Sequence, residues 1–243
     1  MPEKMFRHTF GARFMHWFNA AAWFFLLATG LGLIQNPDLQ PLGAWWPATL
    51  RSLFGGGGNL LAAHWGLGLV WAGVWLVFLV ATARVHALPF LRQIFSYSPR
   101  RDLEWLVKKN FQMTLGYRAM ARLVKPLGWD GRIPAQGFYN AGQKVAAVGL
   151  VAGALALLAS GLVMTASKYY LAAGAVSLVQ WSILLHFVAA GVTFGLLLVH
   201  IYMAAISPEE RPAFFSMFTG VVPADYAQHH HQLWYDEVKA GKA

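Results

Sequence analysis

The chain has 243 residues, of which 57% are hydrophobic and only 12% charged, with a mean hydropathy of +0.45. Soluble domains carry about 25% charged residues, so this composition excludes an ordinary soluble enzyme. The net charge of +9 resembles that of a nucleic-acid binder. Its placement in the segments between apolar runs excludes that partner and makes the charge a signal of membrane topology. The absence of cysteine excludes disulfides, Cys-ligated iron–sulfur clusters and the attachment motif of c-type haem.

Four stretches are free of Asp, Glu, Lys and Arg: about residues 14–34, 60–83, 145–167 and 178–206. Each meets the requirement of about 20 apolar residues for a transmembrane helix. The expected class is an all-α, polytopic membrane protein: a four-helix bundle in a single membrane domain spanning residues 1–243. Of the nineteen Lys and Arg, seventeen lie before span one, between spans two and three, or after span four. Only Arg51 and Lys168 fall on the other side. By the positive-inside rule both termini, the loop 84–143 and the tail 207–243 are cytoplasmic, and the membrane is a bacterial inner membrane.

In chain order, span one opens with Arg13-Phe14-Met15-His16-Trp17-Phe18, placing His16 near its cytoplasmic end. Its apolar run is longer than that of a signal peptide, so we read it as a helix. The outer loop carries Trp45, Trp46 and a glycine run, with the tryptophans expected in the interfacial belt. Span two begins Ala63-His64-Trp65-Gly66, near the outer surface. The central loop contains a helix start at Pro99, followed by apolar residues mixed with Lys and Arg, which suits an anionic membrane surface. Trp129-Asp130-Gly131-Arg132 reads as a turn. No internal repeat is evident. Tyr139-Asn140-Ala141-Gly142-Gln143-Lys144 introduces span three, and span four ends at Ser207-Pro208. The tail carries Tyr226, the run His229-His230-His231, and Trp234-Tyr235. A surface metal suits that run, but a solvated tail is the simpler reading.

Span four carries His186 and His200, fourteen residues apart. At 3.6 residues per turn they lie within about 40° of one face and roughly 21 Å apart along the axis. A lone membrane histidine is often only a hydrogen-bonding or proton-relay residue. Here topology makes two pairs matched in depth: His64 with His186 outside, and His16 with His200 inside. Bis-histidine ligation of b-type haem needs two facing imidazoles at one depth, and the sequence supplies that twice. Met15, Met164 and Met203 are alternative axial ligands, although packing is their commoner use.

Several motifs carry a resemblance: Arg7-His8-Thr9 with His16-Trp17-Phe18, the Tyr139–Lys144 segment leading to Ser160-Gly161-Leu162, the His186/His200 spacing, and the His-rich tail ending in Trp234-Tyr235. Together they make the chain resemble the gamma (cytochrome b) subunits of membrane-bound respiratory formate dehydrogenases, over nearly its whole length. The resemblance implies two haems b, held by His64/His186 and by His16/His200. It implies a quinone site, for menaquinone or ubiquinone, bounded by Asn140, Gly142 and His200. It also implies an iron–sulfur beta subunit as electron donor and, through it, a molybdenum or tungsten alpha subunit; an oligomer of the whole complex is compatible with it. From the residues alone, Asn140 offers an amide and Gly142 an open backbone N–H to a quinone carbonyl, while Asn140 also suits the N-cap of span three.

The leading reading is therefore an electron-transfer subunit with no substrate-oxidising site of its own. The same reading admits the cytochrome b subunit of another quinone reducer, such as a hydrogenase. A histidine-relay proton transporter is the alternative from another class, and the absence of Asp and Glu within the spans argues against it.

Overall fold

Thr9 fixes the start of the first long helix, because its side chain accepts the backbone N–H of Ala12 at 3.1 Å. The computed structural model describes residues 3–167 and 175–241. Lys168 and Lys242 of the charge count lie outside the described residues. The elements follow as β1 (Lys4–Phe6), α1 (Phe10–Leu33), α2 (Trp45–Leu53), α3 (Gly57–Ala81), α4 (Leu88–Phe95), α5 (Pro99–Leu115), α6 (Tyr117–Val124), α7 (Ala141–Ser167), α8 (Val176–Ile201), α9 (Arg211–Thr219), β2 (Val221–Pro223), α10 (Ala224–His230) and α11 (Gln232–Lys239). Wider π-type turns at Ala83–Ala87 and Tyr202–Ile206 follow α3 and α8.

Among the described residues four helices are long and apolar enough to cross a membrane: Phe10–Leu33, Gly57–Ala81, Ala141–Ser167 and Val176–Ile206. They start two to four residues before the charge-free runs. A helix begins at its cap, and one charged residue in the first turns, such as Arg13 or Lys144, does not delay it. Apolar side chains occur on every face of these helices, and residues such as Leu76, Val77, Val188 and Val199 are exposed, as suits helices surrounded by lipid.

The chain divides into two compact units. One comprises Met1–His8, Arg84–Leu150 and Leu198–Ala243, the other Thr9–Ala83 and Val151–Leu197. In the second unit α1 packs on α3. Gly32 has no side chain to keep Leu50 of α2 and Leu60 of α3 away, and both leucines are buried. Trp46 does more than sit in an interfacial belt: its indole donates to the Ala28 carbonyl at 3.0 Å and ties α2 to α1. Gly153 gives Thr193 room between α7 and α8.

In the first unit, the segment from Pro99 forms α5 as the sequence predicts, with Pro99 in the first turn. Its exposed apolar residues are compatible with a position on a membrane surface, while two of its charged residues turn inward. Asp102 and Lys108 are wholly buried, whereas Leu103, Met113 and Leu115 are exposed. Lys108 is satisfied by Glu104 at 2.5 Å, Asp130 at 3.1 Å and the Arg132 carbonyl at 2.6 Å. Asp130 also accepts the Arg132 N–H at 2.9 Å, so residues 129–132 form the expected turn.

The tail corrects the reading of a solvated segment. Strands β1 and β2 pair antiparallel, Met5 opposite Val222, and their core takes in Tyr226, Ala227 and Trp234. Arg7 lies 4.7 Å from the Phe138 ring centre and 5.0 Å from that of Trp234, and donates to the Phe138 carbonyl at 2.8 Å. Tyr226 donates to Glu210 at 2.6 Å, and Tyr226 stacks on His230 at 4.6 Å. His231 is fully buried, with Nδ1 donating to the Gly137 carbonyl at 2.8 Å. Packing of this kind is out of reach of a hydropathy argument, because three consecutive histidines read as polar.

Burial, aided by the Arg7 charge, lowers the His231 pKa to about 3. Between pH 6.5 and that value the unfolded chain binds a proton that the folded chain does not, so stability falls as pH falls. At about 1.4 kcal/mol per unit, the full window is worth on the order of 5 kcal/mol. Burial works against ionisation of Glu210, but hydrogen bonds from His230 and Tyr226 outweigh it and hold its pKa at about 2. The Glu210 contribution is complete above pH 4.5 and is lost as pH falls towards 2. Acidification from pH 7 to 4.5 should therefore loosen residues 224–239 through His231 alone, which hydrogen exchange corrected for intrinsic pH dependence will report. His231→Gln should flatten this dependence; an unchanged dependence in that variant would contradict the assignment.

Candidate functional site

His64 stands in the second turn of α3, and His186 midway along α8. The two rings face each other with centroids 6.2 Å apart and planes inclined at 71°. Each ring is held in the same way by a hydroxyl from the preceding span. Thr29 Oγ1 lies 2.9 Å from His64 Nδ1, and Ser160 Oγ lies 2.9 Å from His186 Nδ1. Both hydroxyls are buried, and each bonds its own helix: Thr29 to the Phe25 carbonyl at 2.8 Å, Ser160 to the Ala156 carbonyl at 2.6 Å. A hydroxyl has one proton, and here the helix carbonyl takes it. The oxygen must then accept from the imidazole, which puts the ring proton on Nδ1. Nε2 of each ring therefore carries a lone pair.

A glycine follows each hydroxyl. A Cβ at Gly30 would stand 3.2 Å from His64 Cε1, closer than side chains comfortably approach. At Gly161 the corresponding distance to His186 is 3.5 Å, an ordinary contact. The pair α1/α3 and the pair α7/α8 present the same device, Thr29-Gly30-Leu31 in one and Ser160-Gly161-Leu162 in the other. Nothing in the sequence singles out Thr29, because a Thr-Gly step in an apolar helix reads as packing.

The pair can be tested for fit to a haem. Metal–imidazole bonds of about 2 Å, with roughly 1.1 Å from ring nitrogen to ring centre, place two opposed imidazole centroids about 6.3 Å apart. The observed 6.2 Å agrees. Among the described residues no group of three or more His, Cys, Asp or Glu is placed to hold a bare metal ion. Two neutral nitrogen donors without further protein ligands suit a group that brings its own equatorial ligands, as a porphyrin does.

The other predicted residues are placed as follows. His16 lies in the second turn of α1, edge-on to Trp17 at 5.2 Å, and His200 lies in the last turn of α8. They fall in different units, and their pairing rests on the sequence. Asn140 forms a reciprocal cap at the start of α7: Gln143 N–H donates to its Oδ1 at 2.9 Å, and its own N–H donates to Gln143 Oε1 at 3.1 Å. A Cβ at Gly142 would lie 3.3 Å from both Asn140 Oδ1 and the Trp105 ring, closer than side chains comfortably approach. Beside it, Lys144 donates to Asp102 at 3.1 Å and to the Ser96 carbonyl at 2.8 Å. Asn19, within α1, accepts from the indoles of Trp71 at 2.9 Å and Trp75 at 3.2 Å. Neither the Asp102–Lys144 pair nor Asn19 is marked by sequence reasoning.

These features define an all-α membrane protein with facing imidazoles inside its spans. The chain belongs to the prokaryotic cytochrome b561 family, whose model matches residues 7–220. Membership implies haem b and a part in electron transport. The chain is 24% identical over 239 residues to the nitrate-inducible formate dehydrogenase cytochrome b556(Fdn) subunit of Escherichia coli K12, covering 98% of this chain and 93% of that one. It is 25% identical to the formate dehydrogenase cytochrome b556 subunit of Haemophilus influenzae, covering 96% and 83%. With the cytochrome b556(fdo) subunit of Escherichia coli K12 it shares 27% over 119 residues, 49% of this chain and 54% of that one.

Proposed function

We propose that this chain is the cytochrome b subunit of a formate dehydrogenase-type complex. It carries electrons from an iron–sulfur partner to membrane quinone, with two haems b as its cofactors, and anchors the complex in the bacterial inner membrane. The observation that carries this reading is the His64/His186 pair, whose spacing and shared tautomer suit axial ligation from both sides. The names of the relatives support the formate dehydrogenase context and an association with its other subunits; an iron–sulfur and a molybdenum or tungsten subunit as those partners follow from the resemblance alone.

In this reading His64 and His186 hold the outer haem and His16 and His200 the inner one. When bound, haem b supplies reversible one-electron carriage between these donors. The protein binds it through the Nε2 atoms, orients it through the hydroxyls on Nδ1, and keeps water away with apolar spans. Asn140, Gly142 and His200 form the quinone site. The Asn140 oxygen is committed to the cap, so its NH2 is the part available to a quinone carbonyl, together with the Gly142 N–H. The charge distribution puts both termini and this site on the cytoplasmic side, so the protons for quinol come from the cytoplasm.

The test is spectroscopic. Formate added to the purified complex should give a reduced-minus-oxidised spectrum of haem b, and a quinone analogue should reverse it. Asn140→Ala should cost the α7 start about 1 kcal/mol as a lost cap and leave the haem bands intact, while slowing reoxidation by quinone at least tenfold. Formate that leaves the chain's haem oxidised would sink the assignment of partner. Unchanged reoxidation in the variant, at equal haem content, would reduce Asn140 to a cap.

A further inference from the structure

We propose that Thr29 and Ser160 are a matched pair of positioning residues that fix the tautomer and plane of His64 and His186, and so set the redox potential of the haem between them. The inference rests on the ligand reading above and goes beyond it, since it concerns residues that touch neither iron nor macrocycle.

The two hydroxyls are placed alike. Each is almost fully buried in a membrane span, each spends its proton on the carbonyl four residues back, and each lies 2.9 Å from the Nδ1 of one ring. A hydroxyl that only back-bonds to its own helix is common in spans and signifies little. Two of them, on different helices, each also meeting the imidazole of the partner span, form a repeated device. A hydroxyl whose own proton is engaged is a better acceptor than a free one. It draws on the Nδ1 proton and makes the imidazole more basic at Nε2, as outer-shell acceptors do for metal-bound histidines. A more basic axial nitrogen favours ferric over ferrous iron and lowers the midpoint potential. The haem that first receives electrons is thereby tuned from outside the ligand set.

The same bonds fix the ring planes. Rotation of either imidazole about its Cβ–Cγ bond would break the bond to Thr29 or Ser160. The planes stand at 71° to one another. Axial imidazoles so far from parallel leave the iron dπ orbitals nearly degenerate, and ferric low-spin haem of that kind gives a highly anisotropic EPR signal. Potential and EPR anisotropy are two readouts that simple helix packing would not move.

The experiment uses the complete complex with Thr29→Val, Thr29→Ser, Ser160→Ala and Ser160→Thr. Haem content is measured first, then each haem's midpoint potential by redox titration, then the EPR spectrum of the oxidised form. The expected result is an upward shift of one haem transition and reduced anisotropy of one low-spin signal in Thr29→Val and Ser160→Ala. The other haem should be unmoved, and Thr29→Ser and Ser160→Thr should behave as wild type. Loss of one haem in Thr29→Val with retention in Thr29→Ser also supports the inference, because valine keeps the volume and serine keeps only the hydroxyl. Full haem content with unchanged potential and EPR in Thr29→Val and Ser160→Ala would overturn it, as would equal haem loss in the valine and serine variants. Retention of both haems in His64→Ala would overturn instead the ligand reading on which it rests.

Discussion

Replacement of His64 or His186 by alanine is expected to halve the haem content of the complex. In the proposed reading the two rings, 6.2 Å apart, are the donors of one site, and no group of three or more His, Cys, Asp or Glu placed for a metal is found among the described residues. Losing one imidazole would remove one of the two side chains that would hold the haem, and water cannot cheaply replace it in an apolar span. The surviving histidine keeps its hydroxyl partner, Thr29 or Ser160, so the protein loses the ligand without losing the frame that holds its mate. His16→Ala or His200→Ala should remove the other haem and spare this one. Pyridine haemochrome assay gives the stoichiometry, and optical redox titration shows which transition is gone. Wild-type haem content in both His64→Ala and His186→Ala would mean that these rings serve the helix interface alone. Because bound cofactor stabilises only the folded state, both variants should also melt earlier.

Much of this site is legible in the amino-acid sequence. A span without charges for more than 20 residues has few readings other than a membrane helix, and the loop charges set the helix directions. Directions fix depth, and depth alone pairs His64 with His186. The hydroxyls are a different matter. Threonine and serine are ordinary in spans, so Thr29 and Ser160 become conspicuous only when each is seen on a ring nitrogen. Charge in the loops misleads in the opposite way. A helix rich in Lys, Arg and Asp reads as water- or headgroup-facing, yet Asp102, Lys108 and Lys144 point inward because partners distant in sequence satisfy them. Sequence pattern records what a side chain costs to bury. It does not record the partner that offsets the cost. His231 makes the same point: a polar triplet is taken for a solvated tail until Gly137 is found to accept its Nδ1 proton.

Asp102→Ala is expected to have the second large effect, on stability rather than haem content. Asp102 is wholly buried and Lys144 nearly so, joined at 3.1 Å. The same carboxylate oxygen accepts the Ser98 N–H at 2.9 Å at the start of α5. Removing it leaves the Lys144 ammonium in a dry site with only the Ser96 carbonyl, which accepts one of its three donors. Breaking a buried pair in this way costs about 3–5 kcal/mol. At roughly 2–4 °C per kcal/mol for a chain of this size, the helical melting transition in detergent should fall by about 6–20 °C. Most of that cost is the unpaired charge, so the double variant Asp102→Ala, Lys144→Met should recover a large part of it. A functional consequence follows from position. Lys144 sits in the first turn of α7, directly after the Gln143 that closes the Asn140 cap. The single variant should therefore also slow quinone reduction by fraying this helix start, and the double variant should restore it along with the melting temperature. A single variant that melts within about 2 °C of wild type would show that the pair is not the buried, mutually dependent unit that the geometry describes. Restored stability without restored quinone reduction would give the pair a chemical part in the reaction beyond holding the helix.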